Sequence, residues 1–192
     1  MLFRSAGCSL ADSCPADRFA EFVREHPDHT VISYVNTSAA VKALTDVVVT
    51  SSNARQIVES FPQDTPIIFD PDRNLGNYIN AVTGRQMLLW DGACHVHEQF
   101  SVERIVELKA TYPDAEVLAH PECKGAVLKL ADVVGSTAAL LRHAVKSNRR
   151  QFIVATESGI LHEMRKQCPD KEFIPAPPNA GTCACNECNF MR

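Results

Sequence analysis

Eight cysteines, at positions 8, 14, 94, 123, 168, 183, 185 and 188, are the residues best suited to chemistry in this 192-residue chain. Three of them crowd into the closing stretch GTCACNECNFMR. Thiolates are soft ligands that select zinc or iron–sulfur clusters. In a reducing compartment such a density argues for metal binding or redox chemistry over a disulfide scaffold. About half of them are expected to be small buried apolar side chains instead. Cys168, in a charged Lys-Gln-Cys-Pro-Asp helix end, is one for which no function is expected. The spacing of Cys183, Cys185 and Cys188 leaves three readings level: a zinc site, a redox pair at Cys183 and Cys185 beside a true ligand, or one contribution to a site shared with distant loops.

Polar residues elsewhere suit a small anionic substrate. His120 and Glu122 flank Pro121 directly after the run AEVLA, where an imidazole and a carboxylate two residues apart can share acid–base work. A surface turn around Pro121 is the bland alternative. Tyr34 and Asn36 hold the matching places earlier in the chain, with a phenol and an amide. Ser51 and Thr137 each stand at an expected helix start, where free N–H groups and the helix dipole favour a carboxylate or phosphate. Service as simple N-caps is the commoner use of such residues. In Cys94-His95-Val96-His97 the imidazoles share a side only if the segment is extended, so no zinc cluster is assigned there.

The elements that must position these residues alternate along the chain. Strand-like runs fall at 29–35, 46–50, 65–70, 86–90, 115–120, 132–136, 151–156 and 171–176. Between them lie AAVKAL, SNARQIVESF, VERIVELKATY, AVLKLA, ALLRHAVKS and GILHEMRKQ, with apolar residues three and four apart. Continuous apolar strands alternating with amphipathic helices predict an α/β fold of parallel sheets covered on both faces. The two halves also superimpose. AAVKALTDVVVTSS lies over GAVLKLADVVGSTA without a gap at an offset of 86 residues, and PIIFD over FIVAT continues it. This is the mark of internal duplication.

The same offset pairs Tyr34 with His120, Asn36 with Glu122, Ser51 with Thr137, and Cys8 with Cys94. Open α/β sheets bind ligands at the C-terminal ends of their strands, where these residues are expected. Two cysteines one repeat apart and a third near the end of the second repeat suggest threefold geometry. Three thiolates from separate loops suit a [4Fe–4S] cluster with one open iron. The step from Cys94 to Cys188 exceeds the repeat, so an insertion is expected in the tail.

Bulk composition narrows the class. With 45% hydrophobic residues the chain can bury ordinary cores, and 19 Lys plus Arg against 23 Asp plus Glu give a net charge near −4. No basic stripe supports nucleic-acid or membrane-surface binding. No apolar run has spanning length, and the start MLFRSAGCSLADSCP lacks a signal-peptide core, so a cytoplasmic location is expected.

Taken together, AGCSLADSCP, YVNTSAAVKALTDVVVTSSNA, WDGACHVHEQF, AHPEC, DVVGSTAALLR and CNECNFMR resemble the quinolinate synthase family of bacterial NAD biosynthesis, in family order from about Ala6 to Arg192. The resemblance implies three similar αβα units around a pseudo-threefold axis, two of them present here. Residues 1–92 would form the second unit with a short remnant of the first, 93–180 the third, and 181–192 a cluster-binding tail. One cysteine from each unit, Cys8, Cys94 and Cys188, would hold an oxygen-sensitive [4Fe–4S] cluster.

The implied reaction condenses iminoaspartate with dihydroxyacetone phosphate to quinolinate, releasing phosphate and water. Tyr34 and Glu122 would transfer protons. His120 would contact substrate, Asn36, Ser51 and Thr137 would bind carboxylate or phosphate groups, and His97 would sit beside the cluster. Cys183 and Cys185 resemble an accessory redox pair. L-aspartate oxidase or aspartate dehydrogenase would be the functional partner supplying iminoaspartate, and a homodimer is one expectation for the oligomer. Family members carry roughly a hundred further residues before AGC, on the scale of a domain, and a helix after CNFMR. The chain therefore reads as a fragment with impaired activity. A non-catalytic zinc- or metal-binding module is the alternative.

Overall fold

Short runs rich in valine and isoleucine become the strands of a computed structural model that describes residues 7–179 and 187–188. β1 (Thr30–Tyr34), β2 (Val47–Val49), β3 (Ile67–Asp70) and β4 (Leu88–Leu89) form one sheet in the order β2-β1-β3-β4, with every pair parallel. β5 (Glu116–Ala119), β6 (Val133–Val134), β7 (Gln151–Ala155) and β8 (Glu172–Pro175) form a second parallel sheet in the order β6-β5-β7-β8. The chain divides into two compact units, one running through His95 and the other beginning at Val96.

In the first unit the helices are α1 (Ser9–Asp12), α2 (Ala16–Arg24), α3 (Ala39–Lys42), α4 (Ala54–Ser60) and α5 (Arg73–Thr83). Successive strand residues point to opposite faces, and both faces are covered. Ile32, Tyr34, Ile67 and Phe69 pack with Leu10, Ala54, Val58, Leu75 and Ile79 on one side. Val31 and Ile68 pack with Cys14, Phe19 and Val41 on the other. Phe19 is fully buried and meets Trp90 edge-on with ring centroids 5.6 Å apart, a burial worth about 2 kcal/mol.

α6 (His95–Glu98) follows, and then α7 (Val102–Thr111), α8 (Gly125–Leu128), α9 (Thr137–Lys146) and α10 (Ile160–Gln167). Leu118, Phe152 and Val154 pack against Leu140, Ala144, Leu161 and Met164 of α9 and α10. Val117 and Ile153 alternate to the opposite face, where α7 packs on β7. The fold is therefore α/β with repeated three-layer αβα units. No helix among the described residues is long and apolar enough to cross a membrane.

The duplication is visible bond by bond. Val31 N donates to Asp46 Oδ2 at 2.8 Å, and Val117 N donates to Asp132 Oδ2 at 2.7 Å. Both pairs obey the 86-residue offset, but the expected gapless match does not extend into the third strands. Thr30 pairs with Ile67 while Glu116 pairs with Phe152, so β3 lies over β7 at 85 residues. The second unit reaches its third strand one residue sooner, a change that a surface connection absorbs easily.

The sequence patterns also passed over α2 and α5. The first shows Phe19, Phe22 and Val23 at helical spacing. The second reads Arg-Asn-Leu-Gly-Asn-Tyr-Ile-Asn, poor in helix formers. α5 forms because Asp72 caps it through Leu75 N and Gly84, at φ 70°, ends it, while Leu75 and Ile79 are buried.

In both sheets the strand order reverses between the first and third strands, which places a topological switch point at the C-terminal ends of β1 and β3 and again of β5 and β7. The loops after those four strands carry Asn36 and Asp72 in the first unit, and His120, Glu122, Thr156 and Glu157 in the second.

Candidate active site and cluster-binding residues

In the first unit the loops bring two cysteines into one neighbourhood. Cys8 is the N-cap of α1, and Cys94 follows β4; both are half-buried and pack against the same core as Tyr34. Their flanking residues are joined, with Ser9 Oγ and His95 Nδ1 2.5 Å apart. Cys94 N donates to Asp72 Oδ2 at 3.1 Å, and Arg73 N donates to Gly92 O at 2.8 Å, so the segment before Cys94 lies along the β3–α5 loop. That approach needs Gly92: a Cβ there would stand 2.4 Å from Pro71 O. Half-buried thiols on fastened backbone suit a soft metal centre, being reachable but shielded.

Tyr34 closes β1, 7% exposed, opposite Val49 of β2. Asn36, two residues on, is exposed. Ser51 was expected at a helix start. It lies instead in the turn before α4, which begins at Ala54 with Asn53 as N-cap. The Asn53 side chain accepts from Thr50 N at 2.7 Å, and on the 86-residue offset α4 begins three residues later than α9 does.

The second unit assembles a buried polar cluster from three elements. His97 comes from α6, His120 and Glu122 from the loop after β5, and Thr156 from the end of β7; none exceeds 6% exposure. His97 Nδ1 lies 2.9 Å from Glu122 Oε2, and His97 Nε2 lies 3.1 Å from Thr156 Oγ1. The rings of His97 and His120 stack at 4.9 Å. His120 Nδ1 lies 4.0 Å from Glu122 Oε2 and accepts from Glu122 N at 3.4 Å, which leaves Nε2 to carry the proton of a neutral imidazole. Burial pushes His120 down to about 4, against the charge of Glu122, and neighbouring His97 adds to the lowering.

The His120–Cys123 turn is thus buried, not the surface turn of the bland alternative. α6 is helical, so His95 and His97 diverge: the first turns to Ser9, the second to Glu122. Thr137 is the first residue of α9, half-buried, and the capping is done by Ser136, whose side chain accepts from Ala139 N. Cys188 is half-buried, and its N–H donates to Glu157 Oε1 at 3.3 Å.

Comparison with known proteins shows the family. The model of the NadA family, described as quinolinate synthetase A protein, matches residues 3–192. The chain belongs to this family. It is 62% identical over 188 residues to a quinolinate synthase of Thermosynechococcus vestitus, covering 98% of this chain and 59% of that protein. A quinolinate synthase of Synechococcus sp. is 58% identical with the same coverage, and one of Chloroherpeton thalassium is 57% identical over 97% of this chain and 58% of its own length. The chain thus spans about three fifths of the length of these curated relatives.

The remaining thiols of the described residues separate by environment. Burial, and then the charge of Asp70, push Cys14 up to about 12, so it stays a protonated thiol. Cys123 is fully buried with its S–H directed at Ala155 O, 3.3 Å away, and Cys168 is 4% exposed in the core of the second unit. Cys183 and Cys185 lie outside the described residues. Sequence reasoning missed Asp72, Thr156 and Glu157. The Pro71-Asp72 step was a readable helix start; Thr156 and Glu157 gave no signal beyond ending a strand.

Proposed function

We propose that this chain belongs to a quinolinate synthase that condenses iminoaspartate with dihydroxyacetone phosphate, losing phosphate and water, in NAD biosynthesis. The observation that carries the reading is the family match over residues 3–192. The fastening of Cys8 beside Cys94 is its physical counterpart. Cys8, Cys94 and Cys188 would hold a [4Fe–4S] cluster, which when bound supplies a Lewis-acidic iron with an open coordination position. L-aspartate oxidase or aspartate dehydrogenase would supply the iminoaspartate, and a homodimer is the oligomer to look for.

The chain's own residues divide the remaining work. Glu122 and His97, 2.9 Å apart and shielded from water, hold a proton that can pass to and from substrate. His120, kept neutral, offers its Nε2–H to a substrate oxygen without placing a second charge beside the pair. Tyr34 brings a phenol to the end of β1 as a second proton-transfer group. Thr137 opens the ten-residue α9, where free N–H groups favour a phosphate or carboxylate. Ser51 and Asn36 are proposed to bind the same kinds of group through a hydroxyl and an amide.

Because the chain spans about three fifths of its relatives, the isolated chain is proposed to turn over slowly, with part of the substrate positioning lost. Anaerobically reconstituted chain, given freshly generated iminoaspartate and dihydroxyacetone phosphate, is expected to release quinolinate measurable by chromatography, more slowly than a longer relative. No quinolinate from chain with a full iron complement would overturn the assignment of activity to these residues.

A further inference from the structure

Asp72 and Glu157 occupy equivalent places in the two units. Each is the second residue after the third strand of its sheet, and the 85-residue offset of β3 over β7 carries one onto the other. Each divides its two carboxylate oxygens between two backbone N–H groups. Asp72 Oδ1 accepts from Leu75 N at 2.8 Å, and Oδ2 accepts from Cys94 N at 3.1 Å. Glu157 Oε2 accepts from Gly159 N at 2.8 Å, and Oε1 accepts from Cys188 N at 3.3 Å. One bond anchors the carboxylate to the start of the next helix. The other ties down a cysteine 22 residues on in the first unit and 31 residues on in the second.

We propose that Asp72 and Glu157 are duplicated positioning residues, which set the ligand cysteines Cys94 and Cys188 by holding their backbone N–H groups. This rests on the cluster reading above. A cluster needs its thiolates at fixed places, and a thiol is only as well placed as the backbone that carries it. Hydrogen bonds to a carboxylate are stronger than neutral ones, and a bidentate acceptor transmits the rigidity of a helix start to a loop remote in sequence. The same device standing before both Cys94 and Cys188, with aspartate in one unit and glutamate in the other, is hard to attribute to helix capping alone. Only Asp72 is an N-cap; α10 takes Gly159 in that place.

Variants can separate positioning from capping. Asp72→Ser keeps a cap for Leu75 N but cannot also reach Cys94 N. Glu157→Gln keeps one acceptor oxygen. Gly159→Ala leaves every charge in place: Gly159 has an ordinary φ of −58°, but a Cβ there would stand 2.8 Å from Glu157 Oε2 and displace it.

The test measures amide hydrogen exchange in the full chain, with iron release to a chelator after anaerobic reconstitution. Exchange at Cys94 is expected to rise about tenfold in Asp72→Ser while Leu75 stays protected. Exchange at Cys188 should rise by about the same factor in Glu157→Gln and Gly159→Ala. All three variants are expected to lose iron severalfold faster than the parent. Parental exchange rates at both cysteines would overturn the clamp. Faster exchange with parental iron release would overturn its role in ligand positioning. A parent chain that takes up no iron would overturn the cluster reading itself, and the clamp would then be judged on exchange alone.

Discussion

Glu122→Gln is expected to slow quinolinate formation by about 10²–10⁴-fold while leaving the iron content of the chain unchanged. Glutamine has the shape of glutamate and an acceptor oxygen, so the packing around a residue 2% exposed changes little. It cannot hold the transferable proton that a carboxylate 2.9 Å from His97 Nδ1 can. His120 cannot substitute for it. Burial keeps that imidazole neutral down to about 4, so at neutral pH it is a hydrogen-bond donor and not a reservoir of acid. The comparison is a rate ratio on chains matched for iron and sulfide. A ratio within about threefold of one would reduce Glu122 to a packing residue and shift the acid–base assignment to Tyr34.

Asp70→Asn is expected to stabilise the first unit by about 4 kcal/mol at pH 8 and by almost nothing near pH 4. Asp70 is fully buried beneath Ser33, whose hydroxyl donates to Oδ1 at 2.6 Å. Burial raises its carboxyl from 3.8 to about 7, against the lowering effect of Ser33. Between those values the folded chain binds the proton that the unfolded chain has released. Stability is therefore fully present below about 3.8 and is lost as pH rises through about 7. At about 1.4 kcal/mol per pH unit, that interval gives the stated ~4 kcal/mol. Asparagine keeps the acceptor for Ser33 and cannot ionise.

His120 runs the opposite way in the second unit. Its lowered value means the unfolded chain binds the extra proton, so stability is present above about 6.5 and falls as pH drops towards about 4. Urea unfolding of parent and Asp70→Asn chains from about pH 4 to 8 reads the difference directly. A difference that stays flat with pH would mean that Asp70 is ionised in the fold at no cost.

The layered fold was legible because its strands are buried on both faces. Thr30–Tyr34 and Gln151–Ala155 are continuous apolar runs with few polar interruptions, and a repeated Thr/Ala-Asp-Val-Val step marks the second strand of each sheet. That step also carries the Asp46 and Asp132 bonds to Val31 and Val117, so the duplication was sound where it was longest. It slipped by one residue at Pro66–Asp70 because loops change length without disturbing a sheet, and a gapless comparison cannot register that.

α5 was illegible for a different reason: its stability comes from its ends and from Leu75 and Ile79, and its interior composition argues against a helix. Among the candidate residues, the places of Tyr34, His120 and Glu122 at or just after a strand end, and of Thr137 at a helix start, were readable from position alone. His97 and Thr156 meet across 59 residues, and the carboxylates of Asp72 and Glu157 act on backbone N–H groups 22 and 31 residues away. Contacts of that kind leave no spacing rule in a sequence: the first joins two side chains from separate elements, and the partner of the others is main chain that every residue possesses.

Iron and acid-labile sulfide analysis, with an absorption spectrum, on anaerobically reconstituted chain tests the central claim most directly when the parent stands beside Cys8→Ser, Cys188→Ser and the double Cys183→Ser, Cys185→Ser variant. The expected result is about four irons and four sulfides per parent chain with broad absorbance near ~400 nm, lost in Cys8→Ser and Cys188→Ser and retained in the double variant. A colourless chain that holds zinc through the tail thiols, indifferent to Cys8, would contradict a cluster built by distant loops and leave a local metal site in its place.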